Sequence, residues 1–342
     1  MRSSNLPPRP RRNSAGDLAG QLASRVVGQP KAVSQIVPYV QMHRAGLAPE
    51  GRPAGVFLLL GPTGTGKTRT VEALADILHG SEKQLLRVDC GEFQMEHEVA
   101  KLIGAPPGYL GHRETQPMLS QQKLNAATSE HSNLALVLFD EIEKAAPSMT
   151  RLLLVVLDKA TLRLGDNTTV NFERTLIFLT SNLGADAMRK ELCPDFGFGS
   201  LTGALALPEP GRKLESIGVG AVKRRFAPEF VNRIDAVITY QPLRRRELEE
   251  ILNQQLHALE RHIANRLEEQ AFGVEVHDCA REFLLDRGTS VEYGARELKR
   301  IILRNLTQPL AAMVDEGYVP PDTVVHVRVA DDNAGLELRV EE

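Results

Sequence analysis

The segment Gly61–Thr68, with the sequence GPTGTGKT, constrains the fold of this chain more than any other. It matches the pattern G-x-x-x-x-G-K-[ST], whose glycines let the backbone curl until its N–H groups face phosphates. The residues around those phosphates would be Gly61, Pro62, Thr63, Gly64, Thr65, Gly66, Lys67 and Thr68. In this pattern Lys67 reaches the β- and γ-phosphates, and the Thr68 hydroxyl binds Mg²⁺.

Both flanks of this segment have the pattern that a phosphate-binding loop requires. Val56–Leu60 (VFLLL) is a short apolar run typical of a buried strand, and Arg69–His79 places its apolar side chains on one helical face. A loop rich in Gly, Pro and Thr could also simply connect a strand to a helix. The combination of strand, loop and helix favours nucleotide binding.

Polar residues end two further apolar runs. Asp140 and Glu141 close Leu134–Glu141, and Asn182 closes Thr175–Asn182. Because α/β folds bind ligands at the carboxyl ends of their strands, Asp140 suits the Mg²⁺ shell and Glu141 could polarise the attacking water as a general base. Asn182 could hold that water or the γ-phosphate, or it could merely form a turn.

Apolar runs alternate with helical patterns along the chain, which predicts an α/β domain with a doubly wound parallel sheet. The predicted strands are Val56–Leu60, Leu85–Asp89, Leu134–Glu141, Thr175–Asn182 and Ala236–Gln241, with a hairpin at Leu162–Phe172. The predicted helices after the phosphate loop are Arg69–His79, Glu92–Ile103, Thr115–Glu130, Ser148–Lys159 and, broken at Pro228, Ala221–Arg233.

Changes in composition divide the chain into three parts. Residues 1–17 are rich in Pro, Arg and Ser and predict a disordered tail, and we expect residues 18–241 to form the large ATPase domain. From Pro242 onwards, residues 242–342 predict a small α+β domain with a long amphipathic helix, two further helices (Ala280–Arg287 and Ala295–Val314) and three strands. Leu192–Arg212, rich in Gly, Pro and Leu, predicts a flexible insert.

The composition argues against several classes of protein. With 41 Lys and Arg against 44 Asp and Glu in 342 residues, and no basic face or helix-turn-helix pattern, we expect no nucleic-acid binding. Three widely separated cysteines form no disulfide framework. No signal peptide and no apolar run of spanning length are present, so we expect no membrane association and a cytoplasmic location.

Several motifs in order resemble the AAA+ ATPases of the Clp type, in particular the second ATPase domain of ClpB, ClpC and ClpA. These motifs are RVVGQPKAV, RAGLAPEGRP, GPTGTGKT, LIGAPPGYLG, LFDEIEKA, LTSNLGA, FAPEFVNRID and YGARELKR. The resemblance covers roughly Leu18 to Val329, almost the whole chain. The resemblance implies an AAA+ fold with a Clp-type lid domain, ATP and Mg²⁺ as ligands, and protein unfolding driven by ATP hydrolysis.

The resemblance also implies a role for individual residues. It places Val26 and Val27 in the adenine pocket, Lys67 and Thr68 as the Walker A pair, Asp140 and Glu141 as the Walker B pair, Asn182 as the first sensor, Arg233 as the arginine finger and Arg296 as the second sensor. Both arginines would supply positive charge to the transferring phosphoryl group. Without the family, either arginine would be interpreted as a surface cation.

An arginine finger serves the nucleotide of a neighbouring subunit, so the resemblance implies a ring, here a homohexamer. The pore loop would be formed by Gly108, Tyr109, Leu110 and Gly111. The Tyr109 ring would grip an extended polypeptide through contact area, which demands no particular sequence. The alternative is a Tyr packed under a Pro-rich loop.

The chain also departs from the family. The resemblance is to a single module, without the first ATPase domain or the coiled-coil middle domain of ClpB, and we expect it to work as a stand-alone module. After the pore loop, HRETQPM (His112–Met118) replaces an acidic, Gly-rich stretch. Phe196–Phe198 lies where protease-coupled relatives carry a docking tripeptide, so a ClpP-type peptidase is a possible partner.

Three alternatives to a general unfoldase follow from the sequence. The ATPase could remodel one dedicated protein complex, or it could feed a ClpP-type peptidase. It could also be a nucleotide-gated scaffold that turns over slowly, although every catalytic position is filled.

Overall fold

A five-stranded parallel sheet forms the core of the computed structural model, which describes residues 17–104, 117–192, 210–290, 294–331 and 334–341. The strands of the chain are β1 (Gly55–Leu60), β2 (Leu86–Asp89), β3 (Ala135–Asp140), β4 (Thr161–Arg163), β5 (Thr169–Asn171), β6 (Thr175–Ser181), β7 (Ala236–Thr239), β8 (Gly273–Val276), β9 (Val324–Val329) and β10 (Leu336–Glu341). The order in the large sheet is β2-β3-β6-β1-β7. β4 and β5 form the predicted hairpin.

Helices cover both faces of this sheet. The described helices of the whole chain are α1 (Leu18–Arg25), α2 (Pro30–Ala45), α3 (Lys67–His79), α4 (Ala100–Ile103), α5 (Gln121–Ala126), α6 (Pro147–Lys159), α7 (Ala185–Leu192), α8 (Pro210–Arg225), α9 (Pro228–Val231), α10 (Arg245–Leu267), α11 (Asp278–Gly288), α12 (Ala295–Ile302) and α13 (Gln308–Asp315), of which α10 to α13 belong to the C-terminal core. Alternate side chains of β1 enter opposite cores: Leu58 packs in the core that includes α6, α8 and α9, and Phe57 in the core that includes α1, α2 and α3. The doubly wound α/β fold is confirmed.

The register of the sheet gathers the predicted polar residues at one edge. β1 lies between β6 and β7, with Leu60 paired to Ser181 on one side and to Thr239 on the other. β3 pairs with β6 from Ala135 to Phe139, so Asp140 ends its strand beside the end of β6. The phosphate loop, the two acidic residues and Asn182 therefore follow neighbouring parallel strands at their carboxyl ends.

A separate apolar core belongs to the C-terminal part of the chain. It joins α10, α11, α12 and α13 to a sheet in which β9 lies between a parallel neighbour, β8, and an antiparallel neighbour, β10. The predicted helix at Ala295–Val314 is interrupted by a π-helical turn at Leu303–Thr307. Pro309, two residues after this turn, lacks a backbone N–H, and the wider turn accommodates this missing donor. The domain boundary at Pro242 stays a prediction, with Leu243 packed against this C-terminal core.

Two predicted helices of the large domain were wrong in extent. Glu92–Ile103 contains a 3-10 turn (Glu96–Val99) followed by the short α4. The Asp89 carboxylate accepts a hydrogen bond from the Gly91 backbone N–H at 2.8 Å and caps a separate turn, so side-chain bonding here replaces a continuous helix.

The predicted helix Thr115–Glu130 contracts to α5 within the described residues. Its N-cap is Ser120, whose hydroxyl accepts from the Lys123 backbone N–H. Thr128 closes the other end by donating its hydroxyl to the Asn125 carbonyl at 2.7 Å. Local hydrogen bonds at both ends therefore limit this helix to a turn and a half.

The region before Pro228 is more helical than predicted. α8 begins at Pro210, eleven residues ahead of the predicted start at Ala221, and α7 was not predicted at all. Within the predicted insert, residues 193–209 lie outside the described part of the chain, as do residues 1–16 of the predicted tail. Asp17 caps α1 by accepting from the Gly20 backbone N–H. Among the described residues, no helix has both the length and the apolar character that crossing a membrane requires.

Candidate active site

A cavity of about 400 Å³ opens at the carboxyl ends of β1 and β3. The phosphate loop and the start of α3 form one wall, and the small domain forms another through α10 and α12. This volume lies within the usual range for small-molecule sites. Of the predicted nucleotide residues, the cavity wall includes Val26, Val27, Thr63, Gly64, Thr65, Gly66, Lys67, Thr68, Asp140, Glu141, Asn182 and Arg296.

The phosphate loop has a backbone that glycine alone allows at its start. Gly61 has φ of 144°, and a Cβ atom there would lie 2.9 Å from the Tyr240 carbonyl oxygen. The loop therefore packs directly against the end of β7. Gly66 then caps α3, which begins at Lys67, so the first N–H groups of this helix have no partner within the helix. A helix N-terminus preceded by such a loop suits an anion.

Lys67 is buried, with 9% of its surface exposed. Its ammonium donates to the carbonyl oxygens of Gly61 (2.7 Å) and Pro62 (2.9 Å) and to the Asn182 side-chain oxygen (2.9 Å). Burial lowers the pKa of Lys67 from its ordinary 10.5 to about 8, while the carboxylates of Glu143 and Asp140 oppose this shift. The protein therefore holds a poorly solvated cation beside the loop, which an anionic ligand would stabilise.

Asp140 is held by two side chains that the sequence analysis did not single out. Thr180 donates its hydroxyl to one carboxylate oxygen, and the Arg87 guanidinium donates to the other at 2.5 Å. Thr180 also accepts from the Glu141 backbone N–H at 3.0 Å, so one hydroxyl fixes both acidic residues. Arg87 lies between the apolar residues Leu86 and Val88 in β2. This alternation was the sequence signal for a charged side chain on one face of that strand.

Glu141 adopts a left-handed backbone with φ of 56° and ψ of 49°. Such a conformation is costly for a residue with a side chain and is found most often at functional sites. Its carboxylate contacts the Lys144 ammonium at 2.5 Å, and the Asn182 amide lies 3.4 Å from its other oxygen. Asn182 thus lies between Lys67 and Glu141, since it also accepts from the lysine.

The small domain reaches the phosphate loop through the start of α12. The Ala295 backbone N–H donates to the Gly64 carbonyl at 3.1 Å. Arg296, the next residue, lines the cavity, and its positive charge contributes to the lowered pKa of Lys67. At the apolar part of the cavity, Val26 and Val27 share the wall with Leu243 and Ile251 of the small domain.

Arg233 lies apart from these residues. It is not among the residues that line the cavity of its own chain. Its guanidinium pairs with Asp158 of α6 at 3.0 Å, and both side chains are substantially exposed. The structure therefore brings together most of the predicted nucleotide residues, Asn182 and Arg296, and leaves Arg233 on the surface of the large domain.

Gln29 is a further structural residue that the sequence analysis missed. Its buried side-chain amide donates to the carbonyls of Thr65 (3.1 Å) and Gln241 (2.8 Å), and its oxygen accepts from the Gln241 backbone N–H (3.0 Å). One side chain thus connects the phosphate loop to the residue that precedes Pro242. Its place in the motif RVVGQPKAV was the available signal.

The donor set fits a nucleoside triphosphate with a divalent cation. Lys67, Arg296 and the first N–H groups of α3, which have no partner within the helix, supply positive charge for phosphates. Thr68 and Asp140 supply the hard oxygen ligands that Mg²⁺ prefers. The predicted pore residues Gly108, Tyr109, Leu110 and Gly111, and the Phe196–Phe198 tripeptide, lie outside the described residues.

Comparison with known proteins agrees with this fold. Residues 52–237 match the model of the AAA domain (Cdc48 subfamily), and residues 243–327 match that of the C-terminal, D2-small domain of ClpB protein. The first match covers more than half of the chain, and the chain therefore belongs to this family of ATPase domains.

The relatives are ClpB chaperones, whose C-terminal ATPase module the chain matches. The chaperone protein ClpB of Rhizobium meliloti (strain 1021) is 39% identical over 317 residues, which cover 93% of this chain and 34% of the relative. That of Rhodopseudomonas palustris (strain ATCC BAA-98 / CGA009) is 40% identical over 299 residues, covering 87% and 31%. The chain spans about a third of the length of these relatives.

A solved structure of Hsp104 with ATPγS and FITC casein has a similar fold. It aligns with a TM-score of 0.76 and 28% identity, covering 94% of this chain and 51% of that one. The similarity thus extends through both domains of the present chain.

Proposed function

We propose that this chain is a Mg²⁺-dependent ATPase that works as a homohexameric ring in the cytoplasm and unfolds or remodels polypeptides by threading them through a central pore. The observation that carries the proposal is the grouping of Lys67, Asp140, Glu141 and Asn182 around one cavity, in a chain that belongs to the AAA family. The relatives' name as chaperones, and the casein in the Hsp104 structure, support a polypeptide substrate.

Each residue of the cavity has a chemical task in this proposal. Lys67 and Arg296 bind and orient the β- and γ-phosphates, Thr68 and Asp140 hold Mg²⁺, and Val26 and Val27 contact the base. Mg²⁺, when bound, neutralises charge on the phosphate oxygens. Glu141 accepts a proton from the attacking water, and Asn182, within reach of Glu141 and Lys67, orients that water.

Glu141→Gln tests the hydrolytic part of this proposal. We expect kcat to fall by about 10²–10⁴-fold, because the general base is lost, while ATP still binds. Glu173→Gln, an exposed Glu in the same domain, is the control. A Glu141→Gln variant that hydrolyses ATP at the parent's rate would remove Glu141 from the mechanism. A parent that binds ATP and does not hydrolyse it would favour the scaffold alternative.

The surface position of Arg233 suggests that it serves a neighbouring subunit. A mixing experiment separates this role from one within the same chain. Lys67→Ala subunits keep Arg233 but lose their own nucleotide, and Arg233→Ala subunits keep their nucleotide but offer no finger. If the finger acts between subunits, mixing the two inactive variants restores part of the ATPase rate.

The control for this experiment is Asp158→Asn, which breaks the same exposed ion pair and leaves the guanidinium intact. It should retain the parent's activity, since an exposed pair contributes at most about 1 kcal/mol to stability. If mixtures never exceed the rate of either variant alone, while both variants assemble with each other, the proposed role between subunits is wrong.

Threading is tested with a fluorescent protein that carries an unstructured tail. Loss of fluorescence that requires ATP, disappears in Tyr109→Ala and persists in Tyr109→Phe would support a pore that grips through an aromatic ring. ATP hydrolysis without unfolding, and without stimulation by unfolded proteins, would favour the alternative of a dedicated remodeller. Binding of a ClpP-type peptidase through Phe196–Phe198 stays a prediction.

A further inference from the structure

Two histidines and a glutamate meet on the outer face of the small sheet, away from the nucleotide cavity. Glu275 of β8 and His326 of β9 are paired in the parallel register, and His277 follows β8 directly. Val325 and Val327, on either side of His326, point into the core, so His326 faces outward with Glu275. The proposed ATPase function uses none of these three residues.

The donor atoms of the three side chains lie close together. His277 Nε2 is 3.2 Å from His326 Nδ1, and Glu275 Oε2 is 3.4 Å from the same Nδ1. One ligand atom from each residue lies within 4.8 Å of the other two. A tetrahedral site with bonds of 2.0–2.1 Å separates its ligand atoms by about 3.3 Å. The two measured separations therefore fit ligands that share one metal ion.

A second carboxylate fixes the orientation of His326. Its Nε2 lies 2.7 Å from Glu341 Oε2 at the end of β10. A carboxylate only accepts, so Nε2 carries the proton and a neutral His326 directs the lone pair of Nδ1 toward His277 and Glu275. A metal-binding histidine usually donates its other ring N–H to a carboxylate in this way. Without a cation, the lone pair of Nδ1 would accept a hydrogen bond from His277 Nε2 at 3.2 Å and would also face the negative Glu275 carboxylate at 3.4 Å.

We propose that Glu275, His277 and His326 bind a divalent transition metal, with Glu341 orienting His326 through its other ring nitrogen. The ligand set of nitrogen and carboxylate oxygen atoms favours Zn²⁺. Three protein ligands leave the fourth position of a tetrahedral zinc ion to water. His326 is half-buried and Glu275 exposed, so an ion could enter from solvent and the Glu275 side chain could adjust to it. The bound ion would connect β8, β9 and the start of α11, since His277 is the N-cap of that helix.

The rival interpretation is metal-free. In it, either His277 donates its Nε2–H to His326 Nδ1, or a doubly protonated His326 donates to Glu341 from Nε2 and to Glu275 from Nδ1. In both cases a proton would take the place of the ion. Zn²⁺ titration distinguishes the two, because only the metal site binds Zn²⁺ with defined stoichiometry through both histidines.

The test is calorimetric titration of Zn²⁺ into the full-length, metal-depleted chain without a histidine tag and without nucleotide. We expect one site per chain that is lost in His277→Ala and in His326→Ala. Glu341→Gln should weaken it by about 10–100-fold, the usual effect of removing such an orienting carboxylate. His262→Ala, an exposed histidine on α10 of the same domain, is the matched control and should bind as the parent does.

A second measurement does not depend on the folding of the histidine variants. Glu275→Gln changes an exposed side chain and keeps its size, and it should weaken binding of Co²⁺, followed by its d–d absorption, while the protein melts as the parent does. The absence of saturable Zn²⁺ binding at micromolar concentrations would overturn the proposal. Binding that survives in both histidine variants would overturn it equally, because the ion would then bind elsewhere.

Discussion

The close contact between Gly294 and the phosphate loop should control how the small domain packs against the nucleotide cavity. Gly294 caps α12 with φ of 50° and ψ of −136°, a region that side chains disfavour strongly. A Cβ atom at this position would lie 2.9 Å from the Gly64 carbonyl oxygen and 3.2 Å from its carbon. Both are backbone atoms, so neither can rotate away.

We expect Gly294→Ala to cost about 2–4 kcal/mol. The backbone conformation contributes about 1–3 kcal/mol. Displacing Gly64 also weakens the hydrogen bond from the Ala295 N–H, which is worth about 1 kcal/mol. The added methyl group also pushes α12 away from the phosphate loop. Nucleotide affinity should therefore fall roughly 10–100-fold, although Arg296 is still present.

Gly317→Ala is the matched control. Gly317 also has a positive φ, of 75°, in the same domain, but nothing lies within 4 Å of the Cβ position. It should lose about 1–2 kcal/mol from the backbone alone and bind nucleotide normally. Binding of a fluorescent ATP analogue and thermal melting measure both variants. If Gly294→Ala binds the analogue as tightly as Gly317→Ala, the seating of α12 on the loop does not control the site.

Three further predictions concern buried groups around the loop. Gln29→Met keeps the side chain's size but removes three hydrogen bonds, and it should lower the free energy of unfolding by about 2–4 kcal/mol in thermal or denaturant melting. The control, Gln84→Met, removes two hydrogen bonds at a more exposed site and should lose about 1 kcal/mol or less. Lys67 has a lowered pKa of about 8, so between pH 8 and 10.5 the unfolded chain retains a proton that the folded one has released. The free energy of unfolding of the nucleotide-free parent should therefore rise with pH across that window relative to that of Lys67→Met, while ATP affinity falls as the ammonium is lost. Parallel stability profiles of the parent and Lys67→Met against pH would contradict this. Tyr240→Phe removes the hydroxyl that donates to Thr70 at 2.7 Å inside the core, and it should cost about 1 kcal/mol in melting without altering kcat.

The sequence predicted the parts of this fold that depend on local pattern. β1, β3 and β6 are continuous apolar runs buried on both faces, and such runs identify central strands of a parallel sheet. Because Asp140 and Asn182 stand at the ends of such runs, the rule that α/β folds bind ligands at the carboxyl ends of strands placed both residues at the site. The predicted helices failed where single side chains decide the outcome: the Asp89 and Ser120 caps end or start turns that periodicity alone does not reveal.

The sequence could not predict contacts that join distant segments. The bonds of Gln29 to Gln241 span 212 residues, and His326 lies 49 residues beyond His277. The partners of Asp140 also come from other strands, β2 and β6. The contacts of Asp140 depend on the order β2-β3-β6-β1-β7, and the contact of His326 depends on the order β10-β9-β8 of the small sheet. Both orders place strands together that are remote in sequence.

The contacts of Gln29, Gly61 and Ala295 give a physical reason why nucleotide binding should move one domain against the other. The loop packs on Tyr240 at Gly61, shares Gln29 with Gln241 at Thr65, and accepts from α12 at Gly64. Two of these three contacts therefore lie within two residues of Pro242. A ligand that shifts the loop changes the segment around Pro242 and the α12 contact together, because all three contacts involve the same short backbone segment of the loop. If the chain unfolds proteins as proposed, Gln29→Met should reduce the rate of unfolding more than the rate of ATP hydrolysis. An equal reduction of both rates would mean that the segment around Pro242 does not couple hydrolysis to unfolding.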